Sequence, residues 1–311
     1  MSTPAREPTA PAATTAGRAM SPRGAYALLQ LTVLVWGFTA IIGKQLTLNA
    51  FALTFYRQLI TAAVMFAWAG ARRERLAVSR ADALRLVGVG GIISLHWVCF
   101  YGCIKLAGVA VGVLCIASVV LFTALIEPLV YRRRLRRAEL FIGALVLVGV
   151  WMLVRVGADA SPLAIAIGTT AALAGSTFGT LNGRLRERLP STVITTWELA
   201  AGAVWLGGFV ALFAPETFVA PADVSTADWG WLAVLSVVCT ALPWIWSLDV
   251  LTVLTPYTVS LSVTLEPVYS MIIAYFWFPD SERLGLSFYV GAALLLGLVV
   301  LNARLRTAGA D

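Results

Sequence analysis

The sequence predicts an all-α integral membrane protein of ten transmembrane helices, built as two inverted five-helix repeats with both termini cytoplasmic. Three observations carry this. Hydrophobic residues make up 59% of the 311 and charged residues 13%. Ten apolar runs fall at about 25–43, 50–70, 84–104, 108–130, 139–156, 162–182, 191–213, 229–249, 256–278 and 286–303. At a rise of ~1.5 Å per helical residue, each is about long enough for a ~30 Å hydrocarbon core. Finally, 18 of the 23 Lys and Arg residues sit in alternate gaps, the opposite gaps hold four, and one lies inside a span. Basic loops stay in the cytoplasm, so the asymmetry sets the orientation as well as the count.

Residues 1–22 are rich in Ala, Thr and Pro and read as a disordered tail. The first apolar run lacks a cleavage site and reads as an uncleaved span. The gaps after spans two, four and six carry Arg72–Arg85, Arg132–Arg137 and Arg184–Arg188, and the tails carry the rest. The gap after span eight has no basic residue and is placed inside by alternation alone. The opposite gaps hold only Lys44, Lys105, Arg155 and Arg283. The acidic gap at about 214–228 is expected to carry a short surface helix.

Phe141-Ile142-Gly143-Ala144 through Gly149 matches Tyr289-Val290-Gly291-Ala292 through Gly297 at an offset of 148. An odd-numbered repeat enters the membrane in opposite senses, which gives inverted halves with a site near the midplane between them. The units read as 23–156 and 157–305, followed by a tail at 306–311. Gly175, Gly179 and Gly183 recur every four residues and suggest close helix contact. They leave a homodimer open without establishing one.

Composition excludes several classes. The net charge of +7 is explained by topology, so no nucleic-acid partner is expected, whereas contact with membrane lipid is. Cys99, Cys103, Cys115 and Cys239 all lie within spans and form neither a disulfide framework nor a metal set. No phosphate-binding loop, nucleophile elbow or metal signature is present, so no cofactor and no enzyme activity are expected.

Ionisable groups inside a bilayer are costly and mark candidate functional sites. Arg57 lies about eight residues into span two from the outer side, and Glu198 about eight into span seven from the inner side. Both are roughly 12 Å deep and related by the repeat. They read as a substrate clamp: Arg57 for a carboxylate or phosphate, Glu198 for an amine or a proton. The structural alternative is snorkelling or backbone capping. Glu266, mid-span before Pro267, is a candidate proton carrier or a neutral acid at a kink. Glu127 is expected to pair with the Arg132–Arg137 cluster, and Asp249 to cap a helix end. His96 is a proton-relay candidate or an interhelical hydrogen-bond partner. Trp36, Trp197 and Tyr269 are deep enough to line a pocket, and Tyr101, Trp244 and Tyr257 suit an interfacial belt; bundle packing is the alternative for each. The candidate substrate residues are thus Trp36, Arg57, His96, Trp197, Glu198, Glu266 and Tyr269. The candidate proton carriers are Glu198, Glu266 and His96.

Trp36-Gly37-Phe38 with Lys44 and Arg57, then Leu265-Glu266-Pro267-Val268, Glu282 and Gly291–Gly297, resemble the two repeats of EamA-type transporters of the drug/metabolite transporter superfamily. The resemblance spans nearly all of 25–305. It implies a permease of the bacterial cytoplasmic (inner) membrane that moves a small metabolite, often exporting amino acids or related compounds, along a path between the repeats. The residue 148 before Glu282 is Arg134, which departs from the family's symmetric acid. The competing readings are a membrane-embedded lipid-modifying enzyme and a channel or scaffold. The first lacks paired carboxylates or metal ligands. The second lacks a charge ring or filter segment.

Overall fold

The computed structural model describes residues 20–154, 161–277 and 285–307. Expectations for the first nineteen residues, Arg155, Glu282 and Arg283 lie outside them. Among the described residues the fold is all-helical. The helices are α1 (Pro22–Gln45), α2 (Ala50–Ala71), α3 (Arg80–Ile116), α4 (Val119–Tyr131), α5 (Arg137–Val154), α6 (Pro162–Arg186) and α7 (Ser191–Phe213), followed by α8 (Thr226–Ala233), α9 (Leu242–Val250), α10 (Pro256–Val263), α11 (Glu266–Trp277) and α12 (Leu286–Thr307). Eight helical stretches are long and apolar enough to cross a membrane, and α4 is a shorter apolar helix.

Helix starts follow local chemistry. Ser21, Asn49, Ser79, Ser225 and Thr255 each accept a backbone N–H at an N-terminus, and Pro occupies the first turn of α1, α6, α9 and α10. The expected surface helix at 214–228 is instead two single 3₁₀ turns, Pro215–Thr217 and Pro221–Asp223.

Three interruptions shape the bundle. Within α3, Gly108 has φ 84° and ψ 169°, a conformation that L side chains rarely adopt. Cys103 and Cys115, twelve residues apart, would be ~18 Å apart along a straight helix. Yet both side chains meet the same face of Gly168 on α6. The chain therefore folds back on itself at Gly108, where the third and fourth apolar runs were expected to part. Between α8 and α9, Val234–Ala241 widens into a π-helical stretch in which the Thr240 hydroxyl donates to the Leu235 carbonyl five residues back at 2.6 Å. Between α10 and α11 the helix breaks at Thr264–Leu265, and Glu266-Pro267 begins the second limb. This is the kink expected from Glu266-Pro267.

The polar ties at the two ends of the bundle sort by gap. At one end, Arg188 pairs with Asp82 (3.1 Å) and Arg186 with Asp249 (3.0 Å), while the Trp197 indole donates to the Leu76 carbonyl (2.8 Å). Arg133 pairs with Glu127 (3.1 Å) and Glu139 (2.7 Å), as expected for Glu127. Burial disfavours the Arg133 charge, but the bonds and attraction of Glu139 and Glu127 outweigh this and raise its pKa. Asp249 is thus an ion-pair partner, and it sets the arginine-free gap after α9 beside the arginine-rich gap after α6.

At the other end, Asp228 accepts from the Thr47 N–H (2.9 Å) and from the Thr47 hydroxyl. Asn49 donates to the Thr217 carbonyl (2.8 Å), and Lys105 to the Leu46 carbonyl.

Two large core clusters fill most of the bundle, beside a third small one around Cys103 and Cys115. One joins α2, much of α3, α7 and α8 to the second half of α1. The other joins α4, α5, α10 and α12 to its first half. The repeat-related pairs α2 with α7 and α5 with α12 pack directly against each other.

Candidate functional site

A cavity of about 150 Å³ opens at the seam between the two core clusters. Its wall includes Trp36 and Thr39 of α1, Arg57 of α2, and His96, Trp97 and Phe100 of α3. Asn182 of α6, Trp244 and Ser247 of α9, Ser260 of α10 and Glu266 of α11 add further polar positions.

Arg57 is the dominant charge. It is 3% exposed. Its Nε donates to the Thr240 hydroxyl at 2.9 Å and its Nη1 to the Tyr101 hydroxyl at 2.6 Å. The guanidinium carbon lies 3.9 Å from the centroid of the Trp97 ring, a cation–π arrangement. Among the described residues no carboxylate reaches it within ion-pair distance. Thr240 receives the Arg57 proton because the π-helical stretch turns its own hydroxyl proton toward Leu235, so the helical defect orients the arginine.

Glu266 faces the same cavity, close to the Thr39 hydroxyl and within electrostatic reach of Arg57. It opens α11, a position where a negative charge is favoured by the helix dipole. His96 Nδ1 lies 2.7 Å from the Ala171 carbonyl. That contact assigns the proton to Nδ1 and leaves Nε2 as an acceptor. The ring stacks parallel to Phe100 and meets Phe178 edge-on.

Glu198 is fully buried beside the cavity wall, where one oxygen accepts from the Asn182 amide at 3.1 Å. Its other oxygen and the Trp244 indole N–H approach one another without closing to a full hydrogen bond. Trp244 meets Trp97 edge-on at 5.3 Å. An aromatic pair therefore separates Arg57 from Glu198.

The seven sequence-derived candidates divide. Trp36, Arg57, His96 and Glu266 line the cavity, and Glu198 lies behind Asn182. Trp197 does not enter it: its indole bond to Leu76 turns it into an apolar groove with Trp205 and Phe209. Tyr269 packs against α1 instead, donating to the Gln30 side chain at 2.9 Å. Tyr101 and Tyr257, assigned above to an interfacial belt or to packing, are both fully buried, and Trp244 is buried as well. Tyr257 donates to the Glu139 carbonyl. Gly179 has open space where a side chain would be and borders the cavity, so part of the glycine stripe shapes the site. Thr39 and Thr240 escaped sequence reading because hydroxyls carry no signal in an apolar span until their partners are known.

Comparison with known proteins gives the family. A solved structure titled only "Crystal structure of protein" matches at 20% identity over 92% of this chain and 98% of its own, with a TM-score of 0.73. That likeness shows a shared fold. No curated protein matches the chain. The EamA-like transporter family matches twice, over residues 23–155 and 162–304, which together cover most of the sequence. A double match of this extent, on an apolar helical bundle with a cavity at its seam, makes the chain a multi-pass membrane protein that belongs to the EamA-like transporter family, within the drug/metabolite transporter superfamily.

Proposed function

We propose that this transporter works by alternating access, exporting a small zwitterionic or anionic metabolite, an amino acid or a related compound, across the bacterial cytoplasmic membrane. Ten spans, both termini in the cytoplasm and repeats at 23–156 and 157–305 complete the reading. The fold-back at Gly108 supports dividing α3 between two spans. The Arg186–Asp249 pair supports putting the gap after α9 on the arginine-rich side.

The observation that carries the substrate class is Arg57. A buried guanidinium, which does not lose its charge in proteins, faces a cavity without a carboxylate partner. A ligand carboxylate would satisfy it. Glu266, on the wall of the same cavity, would receive an ammonium group. Trp36, Trp97, Phe100 and Trp244 would hold an apolar body. In this reading His96 Nε2, Glu198 and Glu266 are the candidate proton carriers.

The test is counterflow in liposomes loaded with one unlabelled metabolite at a time, with the same compound supplied outside as label. Saturable uptake of a zwitterionic or anionic compound, lost in Arg57→Gln, is the expected result. Absence of counterflow across a panel of amino acids and related anions would refute the reading.

A further inference from the structure

We infer that Cys103 and Cys115 form a reversible oxidation site that staples the two limbs of the Gly108 hairpin. The two residues lie on opposite sides of the turn and belong to separate limbs. A β-carbon on Gly168 would sit 2.9 Å from both sulfurs, so the thiols are no more than twice that distance apart. Their side chains also interact directly. Cys103 is fully buried and Cys115 nearly so, within a small apolar cluster of Val111, Ala164, Ala107 and Ile167. Gly168 supplies the socket: any side chain there would occupy the space that both sulfurs share.

Two cysteines in the same span are a weak observation by themselves. These two are twelve positions apart in sequence and meet only because the chain reverses. The reversal is tight on its other side too, since Ile104 packs against Gly112 across the turn. Cys239, by contrast, lies on the π-helical stretch in another cluster, and Cys99 packs outside the apolar cluster that holds this pair. The fold singles out one pair among the four thiols.

The chemistry balances with a peroxide as oxidant. One sulfur attacks a peroxide oxygen and becomes a sulfenic acid, expelling hydroxide, which takes up the thiol proton as water. The second sulfur then attacks the first, forming the S–S bond and releasing another water. Each cysteine loses one electron and one proton, and hydrogen peroxide accepts both electrons and both protons to give two waters. A dithiol reverses the step by exchange. The two Sγ atoms already flank a common point beside Gly168, which brings them within about 6 Å of each other. The resulting link would tie α3 before Gly108 to the limb that leads into α4. Both limbs border the cavity, through His96, Trp97 and Phe100 on one side and Ile116 and Val119 on the other.

The test uses the full-length wild-type protein in nanodiscs, treated with hydrogen peroxide, alkylated under denaturing conditions and mapped without reduction. The expected result is a Cys103–Cys115 linked peptide, two alkylatable thiols remaining at Cys99 and Cys239, and recovery of all four after dithiothreitol. Gly168→Leu, which fills the shared socket, should lower the yield of the link at least tenfold. Four free thiols after treatment would overturn the inference. So would a link that joins Cys99 to either partner instead. The mapping reads the covalent bond directly, so a failure of the transport reading leaves its outcome distinguishable.

Discussion

The Arg57 guanidinium carbon lies over Trp97, 3.9 Å from the ring centroid, with its Nε held by Thr240 and one Nη1 donor by Tyr101. The arginine is therefore fixed before any ligand arrives, which reduces the ordering cost of binding. Losing a buried, hydrogen-bonded charge typically costs about 2 kcal/mol or more. Arg57→Gln should weaken binding on the order of 30-fold or more at 1.4 kcal/mol per decade. Arg57→Lys keeps the charge but not the planar fork and should fall between the two. Trp97→Phe should cost less than tenfold, because a phenyl face still holds the cation. Titration of purified protein with the ligand found by counterflow reads all three.

Glu266 and Glu198 occupy different surroundings, one on the cavity with Arg57, the other behind Asn182. If either carries a coupled proton, its Gln variant should lose gradient-driven uptake while keeping exchange. Glu266→Gln should also raise the half-saturation concentration, since Glu266 lines the site and Glu198 does not. Unchanged driven uptake in both variants would remove them from the coupling step.

Gly179 faces open space on the cavity wall. Gly179→Leu should fill the cavity and abolish saturable binding. Because nothing lies within contact distance of that position, stability should change by no more than about 0.5 kcal/mol. Thermal unfolding in detergent, run beside the binding assay, separates the two effects.

Arg133 neutralises two nearly buried acids, Glu127 and Glu139, whose neighbour Tyr257 donates its backbone N–H to Glu127 at 2.6 Å. Arg133→Ala leaves both carboxylates without that cation and should destabilise the protein by about 2–3 kcal/mol, the lower end for a broken buried pair because Arg133 is partly exposed. Adding Glu139→Gln should recover part of the loss. Denaturant or thermal unfolding in detergent measures both.

The bundle was legible in the sequence to the degree that water and lipid dictate it. Apolar length gave an all-helical bundle, with eight stretches long enough to cross a membrane among the described residues against the ten expected, and Glu266-Pro267 gave a break in the helix. The π-helical stretch left no trace, because Val234–Ala241 reads as an ordinary apolar run. Yet that stretch aims Thr240 at Arg57. The site was half legible for a related reason. A charge inside an apolar span announces itself, as Arg57, Glu198 and Glu266 did. The direction in which Trp197 or Tyr269 points depends on one hydrogen bond to a distant segment, Leu76 or Gln30, which no local pattern encodes. Gly108 is one of 26 glycines, and its turn shows only when Cys103 and Cys115 come together.

The ties at the two ends of the bundle differ in kind. One end is closed by arginine–carboxylate pairs, Arg188 with Asp82 and Arg186 with Asp249, the other by Asp228 gripping a short segment at Thr47 through hydrogen bonds. Exposed charges are screened over ~8–10 Å at physiological ionic strength, whereas a buried hydrogen-bonded acid is nearly indifferent to salt. Dissolved ions therefore bear unequally on the two ends. Raising ionic strength should loosen the arginine–carboxylate ties while the Asp228 grip on Thr47 holds, a difference between the two ends that needs no ligand.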